Sequence, residues 1–225
     1  ESPEFQKVKD TKQEVKMPIL DAIRLHPGNI LLAMGARFAE NGFFYIYATF
    51  TLAYATQALG MNRQDILNGV LIAAAIETFT IPAFGALSDR LGRRPVYIFG
   101  AIFSALMPFP LFWLLGTKSP QLAWIAIVLG LAVGHAAMYG PQAAFLSELF
   151  GTKVRYSGVS LGYNMASIFA GALSPLIATW LMTEFKPETW PISVYMIILA
   201  LITLVSVYFA VETRSKEPAY VPKTV

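Results

Sequence analysis

Six long apolar runs, separated by short polar stretches, dominate the pattern of residues along the chain. An α-helix rises ~1.5 Å per residue, so a run of ~20 apolar residues can cross the ~30 Å hydrocarbon core of a bilayer. The pattern therefore predicts an all-α, polytopic membrane protein whose helical bundle covers residues 28–212. The six predicted transmembrane helices cover residues 28–59, 66–87, 95–115, 121–149, 156–182 and 191–211.

Two polar segments flank the predicted bundle. Residues 1–27 carry five basic side chains and lack the apolar stretch of a secretory signal peptide, so we expect a cytoplasmic connecting segment there. Residues 213–225 are also polar, and we expect them to form a cytoplasmic tail. Because residue 1 is not methionine, we expect the sequence to be a piece of a longer protein.

Composition supports a membrane protein and narrows its chemistry. Hydrophobic residues make up 56% of the 225 residues and charged residues 14%, against ~45–50% and ~25% in soluble domains. We therefore expect the lipid bilayer to be the solvent of most of the surface. The absence of cysteine excludes disulfides and thiolate metal sites, and with only two histidines we expect no metal site.

The basic residues are distributed unequally between the two predicted membrane faces. With both ends of the chain on one side, 13 of the 17 Lys and Arg residues fall on that side. Arg63, Lys118 and Lys186 fall on the other side, and Arg37 lies within a helix. By the positive-inside rule both ends are predicted to be cytoplasmic. This distribution also explains the net charge of +3 without a nucleic-acid partner.

The segment GALSDRLGRR, residues 85–94, connects the second and third predicted helices. Gly85 would allow two helix ends to approach closely, and Gly92 would permit a tight reversal of the chain. An ordinary positively charged cytoplasmic loop is one interpretation of this segment. The other is the motif G-x-x-x-D-[RK]-x-G-[RK]-[RK], which the segment matches at Gly85, Asp89, Arg90, Gly92, Arg93 and Arg94.

This motif between two membrane helices resembles the signature loop of the major facilitator superfamily of secondary transporters. A second stretch, with Glu148, Arg155 and Gly158, resembles the E-x-x-x-x-x-x-R-x-x-G turn of sugar porters and metabolite:proton symporters. Together with the sequence around Arg37–Tyr45, these matches make the chain similar to the shikimate-permease branch of the metabolite:proton symporters. Six helices with both ends inside correspond to one half of such a twelve-helix protein, built from two inverted three-helix repeats.

The resemblance implies a function as well as a fold. It implies the C-terminal half of a carrier that moves a small organic acid together with a proton across the plasma (inner) membrane by alternating access. Its partners would be the substrate, the bilayer and the N-terminal half of the same protein. The alternative is a six-helix membrane sensor or assembly protein that keeps the fold without transport. The sequence lacks H-E-x-x-H, G-x-S-x-G and P-loop motifs, so we expect neither an enzyme nor a cofactor.

Ionisable residues inside the apolar runs are the first candidates for chemistry, because an unpaired charge at the bilayer centre is costly. Glu40 and Glu77 are each predicted to lie roughly 15 Å from the cytoplasmic surface, at ~1.5 Å per residue. Arg37 precedes Glu40 by three residues and therefore shares its helical face. Our hypothesis is that Arg37 binds a substrate carboxylate and that Glu40 or Glu77 accepts the coupling proton. A purely structural ion pair between Arg37 and either acid is the alternative.

The remaining candidates lie near these three residues in sequence or in the fourth helix. His135 is a candidate for substrate binding or proton relay, although a histidine inside a membrane often only bonds to a neighbour. The other candidates for the substrate or proton site are Asn41, Tyr45, Tyr139 and Gln142.

At the cytoplasmic side we expect a gate made of charged residues. Asp89 is suited to face a helix N-terminus, which the resemblance places in the N-terminal half. Glu148 is suited to pair with Arg93 or Arg94, and Arg155 to join that network. The resemblance implies that these contacts break when the carrier opens inward.

Overall fold

The computed structural model describes residues 18–150 and 154–212, and within these ranges the chain is almost wholly helical with no strand. A short helix, α1, covers Pro18–Leu25 at the end of the predicted connecting segment. The rest of that segment and the predicted tail, residues 213–225, lie outside the described residues.

Six longer helices follow α1, and each of them covers one of the six apolar runs of the sequence. Helix α2 covers residues 27–57 and consists of Pro27–Tyr45, a π-helical segment Ile46–Phe50, and Thr51–Gln57. The others are α3 (Arg63–Leu91), α4 (Arg93–Leu106 and Pro108–Gly116), α5 (Pro120–Glu148), α6 (Arg155–Glu184) and α7 (Trp190–Phe209).

Length and hydropathy identify most of these helices as membrane spans. Among the described residues, α3, α5, α6 and α7 are each long and apolar enough to cross a bilayer. Helix α4 qualifies as a fifth span if its two parts, bent by 42° at Met107 before Pro108, are taken together. Helix α2 does not reach the same hydropathy, because Arg37, Glu40 and Asn41 interrupt its apolar run. The protein is therefore a multi-pass membrane protein in which one helix is unusually polar.

The structure corrects the prediction that a loop at residues 88–94 separates the second and third helices. Helix α3 continues to Leu91 and α4 begins at Arg93, so only Gly92 separates the two helices. Gly92 has a φ of 109°, which glycine adopts without the steric penalty that a Cβ would bring. Ser88 extends the helical hydrogen bonding by donating its hydroxyl to the Gly85 carbonyl at 2.7 Å. The motif thus lies mainly on the ends of two helices.

The helices pack as two related groups of three. Helix α2 contacts α6 and α7, α5 contacts α3 and α4, and α4 contacts α7. This pattern is unchanged when α2, α3 and α4 are exchanged with α5, α6 and α7, which is the relation expected of two three-helix repeats. Helices α2 and α5 therefore occupy equivalent, central positions, and the polar residues that they carry lie inside the bundle.

Helix α3 lies at the edge of the bundle and buries a single narrow stripe. Only 11% of its most apolar window is buried, and large side chains such as Leu71 and Phe79 are exposed. Its buried residues include Ile66, Gly69, Ala73 and Glu77, spaced three and four residues apart along one face. The stripe that faces α5 thus ends with a carboxyl group, which brings Glu77 into the interior.

Candidate functional site

A cavity of about 440 Å³ lies between α2, α3, α5 and α6, halfway along the helices. Glu77 is 14 residues from either end of α3, and His135 is 15 and 13 residues from the ends of α5. At ~1.5 Å per residue these side chains lie about 20 Å from the helix ends, near the middle of a bilayer. The residues that line the cavity are Arg37, Glu40, Asn41, Phe44, Tyr45, Glu77, Ile81, His135, Tyr139, Tyr163 and Ser167.

His135 joins two acidic side chains from different helices. Its Nδ1 atom lies 2.6 Å from Oε1 of Glu77 on α3, and its Nε2 atom lies 3.3 Å from Oε1 of Glu40 on α2. All three side chains are at least nine-tenths buried. The imidazole therefore bridges α2 and α3 through hydrogen bonds that depend on where protons reside.

Arg37 is held by contacts in three directions. Its Nε donates to Oε2 of Glu40 at 3.0 Å, and its Nη1 donates to the Tyr163 carbonyl at 2.9 Å and to Oγ of Ser167 at 3.1 Å. The guanidinium carbon also lies 3.3 Å from the centre of the Tyr163 ring. A planar cation between an acid, a carbonyl and an aromatic ring has a defined orientation, and its remaining donors are available to the cavity.

Gln142 and Tyr97 lie behind the cavity. The Nε2 atom of Gln142 donates to Oε2 of Glu40 at 2.8 Å and to the hydroxyl of Tyr97 at 3.1 Å. Tyr97 in turn donates to the Ala36 carbonyl at 3.0 Å. Both side chains are buried, so this chain of hydrogen bonds supports Glu40 from the side away from the cavity.

Three π-helical segments border the cavity, one in each of α2, α5 and α6. The segment Ile46–Phe50 follows Tyr45, the segment Leu129–His135 ends on His135, and the segment Ser167–Ala172 begins at Ser167. A π-helical turn inserts an extra residue into the helix and redirects the side chains next to it. Local widening of the helices therefore contributes to the orientation of three lining residues.

The structure brings together most of the residues predicted for the substrate or proton site. Seven of the eight line the cavity: Arg37, Glu40, Asn41, Tyr45, Glu77, His135 and Tyr139. Gln142 does not line it, but contacts Glu40 directly. The structural ion pair considered from the sequence is present between Arg37 and Glu40, and both members also face the cavity.

Sequence reasoning missed Tyr97, Tyr163 and Ser167. The last two lie four residues apart and share one face of α6, and Ser167 also accepts a hydrogen bond from Asn41 at 3.2 Å. That spacing of polar groups within an apolar run was the available signal. Tyr97 carried no comparable signal, because its partners come from α2 and α5.

The charged residues of the motif meet at one end of the bundle. The Arg93 guanidinium donates to Asp89, to Oγ of Ser88 at 2.8 Å and to Oε1 of Glu148 at 3.4 Å. We call Asp89, Arg93 and Glu148 the end cluster. It ties α3, α4 and α5 together, and Glu148 pairs with Arg93 as one of its two predicted partners.

The other members of the motif make separate contacts. Arg94 donates to the carbonyls of Val207 and Tyr208 at the end of α7, and Arg90 is exposed.

The residues of the second motif lie near Phe150. Arg155 donates through Nε to the Phe150 carbonyl at 3.4 Å. Gly158 lies against the Phe150 ring, where an added Cβ would come within 2.4 Å, and Gly85 packs on the backbone of Gly140.

Glu212 caps the N-terminus of α4, a role that the sequence analysis did not assign. Its carboxylate accepts the backbone N–H of Arg93 at 2.8 Å and of Arg94 at 3.1 Å. An acid at this position satisfies two unpaired donors and faces the positive end of the helix dipole. It also fixes the end of α7 against the motif.

Replacing Glu212 by alanine is expected to lower the free energy of unfolding by about 1 kcal/mol, the usual contribution of a capping side chain. Thermal unfolding of the purified protein in detergent measures this change. Glu188→Ala, which removes an exposed acid near the opposite end of the bundle, is the matched control. Equal unfolding temperatures for the two variants would contradict the capping role.

These features define a class of protein. The chain is a multi-pass helical bundle made of two related groups of three helices, with an ionisable cluster and a small-molecule-sized cavity halfway across. Buried charges in a membrane bundle are costly and are found mainly where ions or substrates bind. The fold and the site together resemble those of membrane transport proteins.

Comparison with known proteins gives the family. The family model of the Major Facilitator Superfamily matches residues 32–224. The chain is 34% identical to the shikimate transporter of Escherichia coli K12 over 207 residues, which are 90% of this chain and 47% of the relative. It is also 33% identical to the inner membrane metabolite transport protein YhjE of the same organism, over 95% of this chain and 49% of the relative. The chain therefore belongs to the major facilitator superfamily.

A further relative is named for a different set of compounds. The chain is 31% identical, over 85% of its own length and 38% of the relative, to the glycine betaine/proline/ectoine/pipecolic acid transporter OusA of Dickeya dadantii. The chain spans half the length or less of these relatives, which are transporters and not enzymes. No solved structure matched the chain. The predicted resemblance to the metabolite:proton symporter branch is confirmed.

Proposed function

We propose that the chain is the C-terminal half of a secondary transporter that moves a small organic acid together with a proton. The observation that carries this proposal is the buried cluster of Arg37, Glu40, His135 and Glu77 around the cavity. One permanent cation faces two carboxyls. The cluster is therefore neutral only when a proton resides on His135 or on one of the acids, and a dry interior favours neutrality.

Arg37 is the residue proposed to bind the substrate. Among the described residues that line the cavity it is the one lysine or arginine, and arginine suits the planar geometry of a carboxylate. The compounds in the names of the relatives, which include shikimate, glycine betaine, proline and pipecolic acid, all contain a carboxylate. The cavity volume lies within the ~300–1,000 Å³ typical of small-molecule sites.

Alternating access requires a contact that forms in one state and breaks in the other. The end cluster is proposed to act as this gate, because it joins three helices through partly exposed charges at one end of the bundle. We propose that this end faces the cytoplasm and that the membrane is the plasma (inner) membrane, because the excess of basic residues lies at this end. The N-terminal six helices of the same protein are proposed to cover the exposed faces of α3 and α6 and close the cavity.

Uptake into proteoliposomes that contain the complete protein, with a pH gradient imposed, tests the proposed substrate class. The panel pairs each acid with a relative that lacks the carboxylate: shikimate with its methyl ester, and glycine betaine with choline. We expect the protein to accumulate at least one acid and to exclude its uncharged or cationic partner by tenfold or more. Equal uptake of both members of every pair would contradict a carboxylate site.

The same sample separates transport from the sensor or assembly alternative. A sensor that keeps the fold would bind an acid without accumulating it, whatever the pH gradient.

The proposed N-terminal half is tested separately, by sequencing the reading frame upstream of residue 1. We expect six further apolar spans there, with a second motif of the same form after the second span. A start codon immediately before residue 1 would contradict the twelve-helix proposal.

A further inference from the structure

The two carboxyl groups that flank His135 have unequal surroundings. Glu40 receives hydrogen bonds at Oε2 from Arg37 and Gln142, and its Oε1 faces His135. Glu77 contacts His135 at 2.6 Å and has no other hydrogen-bond partner among residues 18–150 and 154–212. The first acid is thus surrounded by donors, and the second depends on one ring nitrogen.

The hydrogen bonds behind Glu40 favour its ionised form. The Tyr97 hydroxyl donates to the Ala36 carbonyl, so its oxygen accepts a hydrogen bond from Gln142. The Gln142 atom at this position must therefore be the amide nitrogen, and the same nitrogen lies 2.8 Å from Oε2 of Glu40. Oε2 of Glu40 therefore meets two N–H donors, from Arg37 and Gln142. A proton placed on that oxygen would point at hydrogens instead of at a lone pair. Only Oε1 of Glu40 is then open to a proton, and the Arg37 cation with the two N–H donors on Oε2 favours the carboxylate.

With Glu40 ionised, Nε2 of His135 carries hydrogen and donates to Glu40. The other ring nitrogen, Nδ1, then shares one proton with Oε1 of Glu77, as imidazolium with carboxylate or as imidazole with carboxylic acid. If that proton leaves, a lone pair on Nδ1 faces a carboxylate at 2.6 Å, and the two repel. The contact between α3 and α5 at this point therefore depends on the proton.

We propose that the co-transported proton resides between Nδ1 of His135 and Oε1 of Glu77, and that Glu40 is a permanent anion which Gln142 and Tyr97 hold in place. The proposal rests on the proposed function and deepens it by assigning the proton site. The proton enters from water on one side, and its release to water on the other separates Glu77 from His135, which frees α3 to move. Gln142 and Tyr97 are positioning residues, since they act through Glu40.

Other titratable and charged groups face this pair from the neighbouring helices. Helix α2 contributes Arg37 and Glu40, and α5 itself contributes Tyr139, whose ring centroid lies 5.3 Å from that of His135. The groups on the remaining two packed helices are Tyr163 of α6, which lines the cavity, and Tyr97 of α4, which lies behind Gln142. Of all these groups, Arg37 and Glu40 carry the opposite charges nearest to the pair, and they compensate each other.

The test compares Glu77→Gln with Glu40→Gln in the complete protein, reconstituted with the acid that it transports. For Glu77→Gln we expect accumulation driven by a pH gradient to fall at least tenfold. Exchange of labelled for unlabelled substrate should persist at a rate that no longer depends on pH. For Glu40→Gln we expect both activities to fall at least tenfold, because Arg37 loses its fixed counter-ion. The reverse pattern, with exchange retained only in Glu40→Gln, would overturn the proposal.

Tyr97→Phe tests the positioning role with the loss of one hydroxyl group. Without it the Gln142 amide is free to turn, so Glu40 can compete for the proton, and the pH profile of uptake should shift while the maximal rate stays within about threefold. The matched control is Tyr208→Phe, which removes an exposed hydroxyl at the end of α7. An unchanged pH profile in Tyr97→Phe would contradict the positioning role.

Infrared difference spectra of the protein between acidic and alkaline pH give a readout independent of transport. We expect a carboxyl or imidazole signal that disappears in Glu77→Gln and persists in Glu40→Gln. Loss of the signal only in Glu40→Gln would overturn the assignment.

The transport measurements distinguish failure of this inference from failure of the proposed function. If the wild type accumulates no substrate under any pH gradient, the proposed function fails. If it accumulates substrate and Glu77→Gln does so equally, this inference alone fails.

Discussion

Replacing Arg37 by alanine is expected to raise the KM for the organic acid at least tenfold and to abolish accumulation at low substrate concentration. A hydrogen bond to a charged group contributes ~1.5–3 kcal/mol, and each 1.4 kcal/mol corresponds to about a tenfold change in affinity. The same change leaves Glu40 without its cation in the bundle interior, and breaking a buried pair in this way costs ~3–5 kcal/mol. The initial rate of labelled uptake, measured against substrate concentration, gives the KM.

Arg37→Lys separates the geometry of this residue from its charge. Lysine keeps the positive charge, but cannot stack its head group on Tyr163 while donating to Glu40, the Tyr163 carbonyl and Ser167. We expect its KM to rise tenfold as well. Arg63→Lys, an exposed residue at the start of α3, is the control and should behave as wild type. Normal uptake by Arg37→Lys, in protein with normal thermal stability, would contradict the substrate-binding role.

Replacing Gly140 by alanine is expected to destabilise the packing of α5 against α3 strongly. A Cβ at this position would lie 2.6 Å from the carbonyl oxygen of Ile81 and 2.8 Å from the backbone nitrogen of Gly85. Both atoms belong to the backbone of α3 and cannot move aside like a flexible side chain. Overpacking of this kind costs ~1–3 kcal/mol, which lowers the unfolding temperature by about 2–4 °C per kcal/mol in a chain of this size.

Gly116 provides the matched control for this substitution, because nothing lies within 4 Å of an added Cβ there. Thermal unfolding of both variants in detergent, followed by tryptophan fluorescence, measures the difference. We expect Gly116→Ala to unfold at the same temperature as wild type, and Gly140→Ala to unfold at a clearly lower temperature or not to accumulate as folded protein. Similar unfolding temperatures would mean that α3 and α5 are separated more widely than in this structure.

Much of the fold follows from apolar run length, which is a local property. Among the described residues, four of the predicted spans are long and apolar enough to cross a bilayer, and α4 is a fifth if its two bent parts count as one span. The remaining span, α2, shows why local hydropathy alone does not identify every membrane helix. Its helix is stable because Arg37, Glu40 and Asn41 face partners on other helices, and those partners cannot be read from the sequence of α2 itself.

The energetic cost of ionisable groups inside a membrane already suggested that those of the predicted spans lie close together, namely Arg37, Glu40, Glu77 and His135. Each is an ionisable group inside an apolar run, and such groups need partners at the same depth. The particular pairs could not be predicted, since they depend on how α3 and α5 are rotated about their axes. Only the three-dimensional packing shows that His135 lies between the acids and that Gln142 lies behind one of them.

The motif at residues 85–94 shows a different limit. Its composition predicted a loop, but Gly92 alone accommodates the reversal, and the flanking residues remain helical. The missing information was Glu212, whose carboxylate caps α4 from more than a hundred residues away in sequence. Long-range capping of this kind leaves no periodic signal in either segment.

The most direct test of the central claim, that this cluster couples an organic acid to a proton, is a measurement of proton movement. The complete protein is placed in liposomes with a pH-sensitive dye inside and no imposed gradient, and a transported acid is added. We expect acidification of the interior at a fixed ratio to labelled substrate uptake, beyond that in protein-free liposomes, and we expect Glu77→Gln to abolish it. Substrate entry at the full rate with no accompanying proton would contradict it.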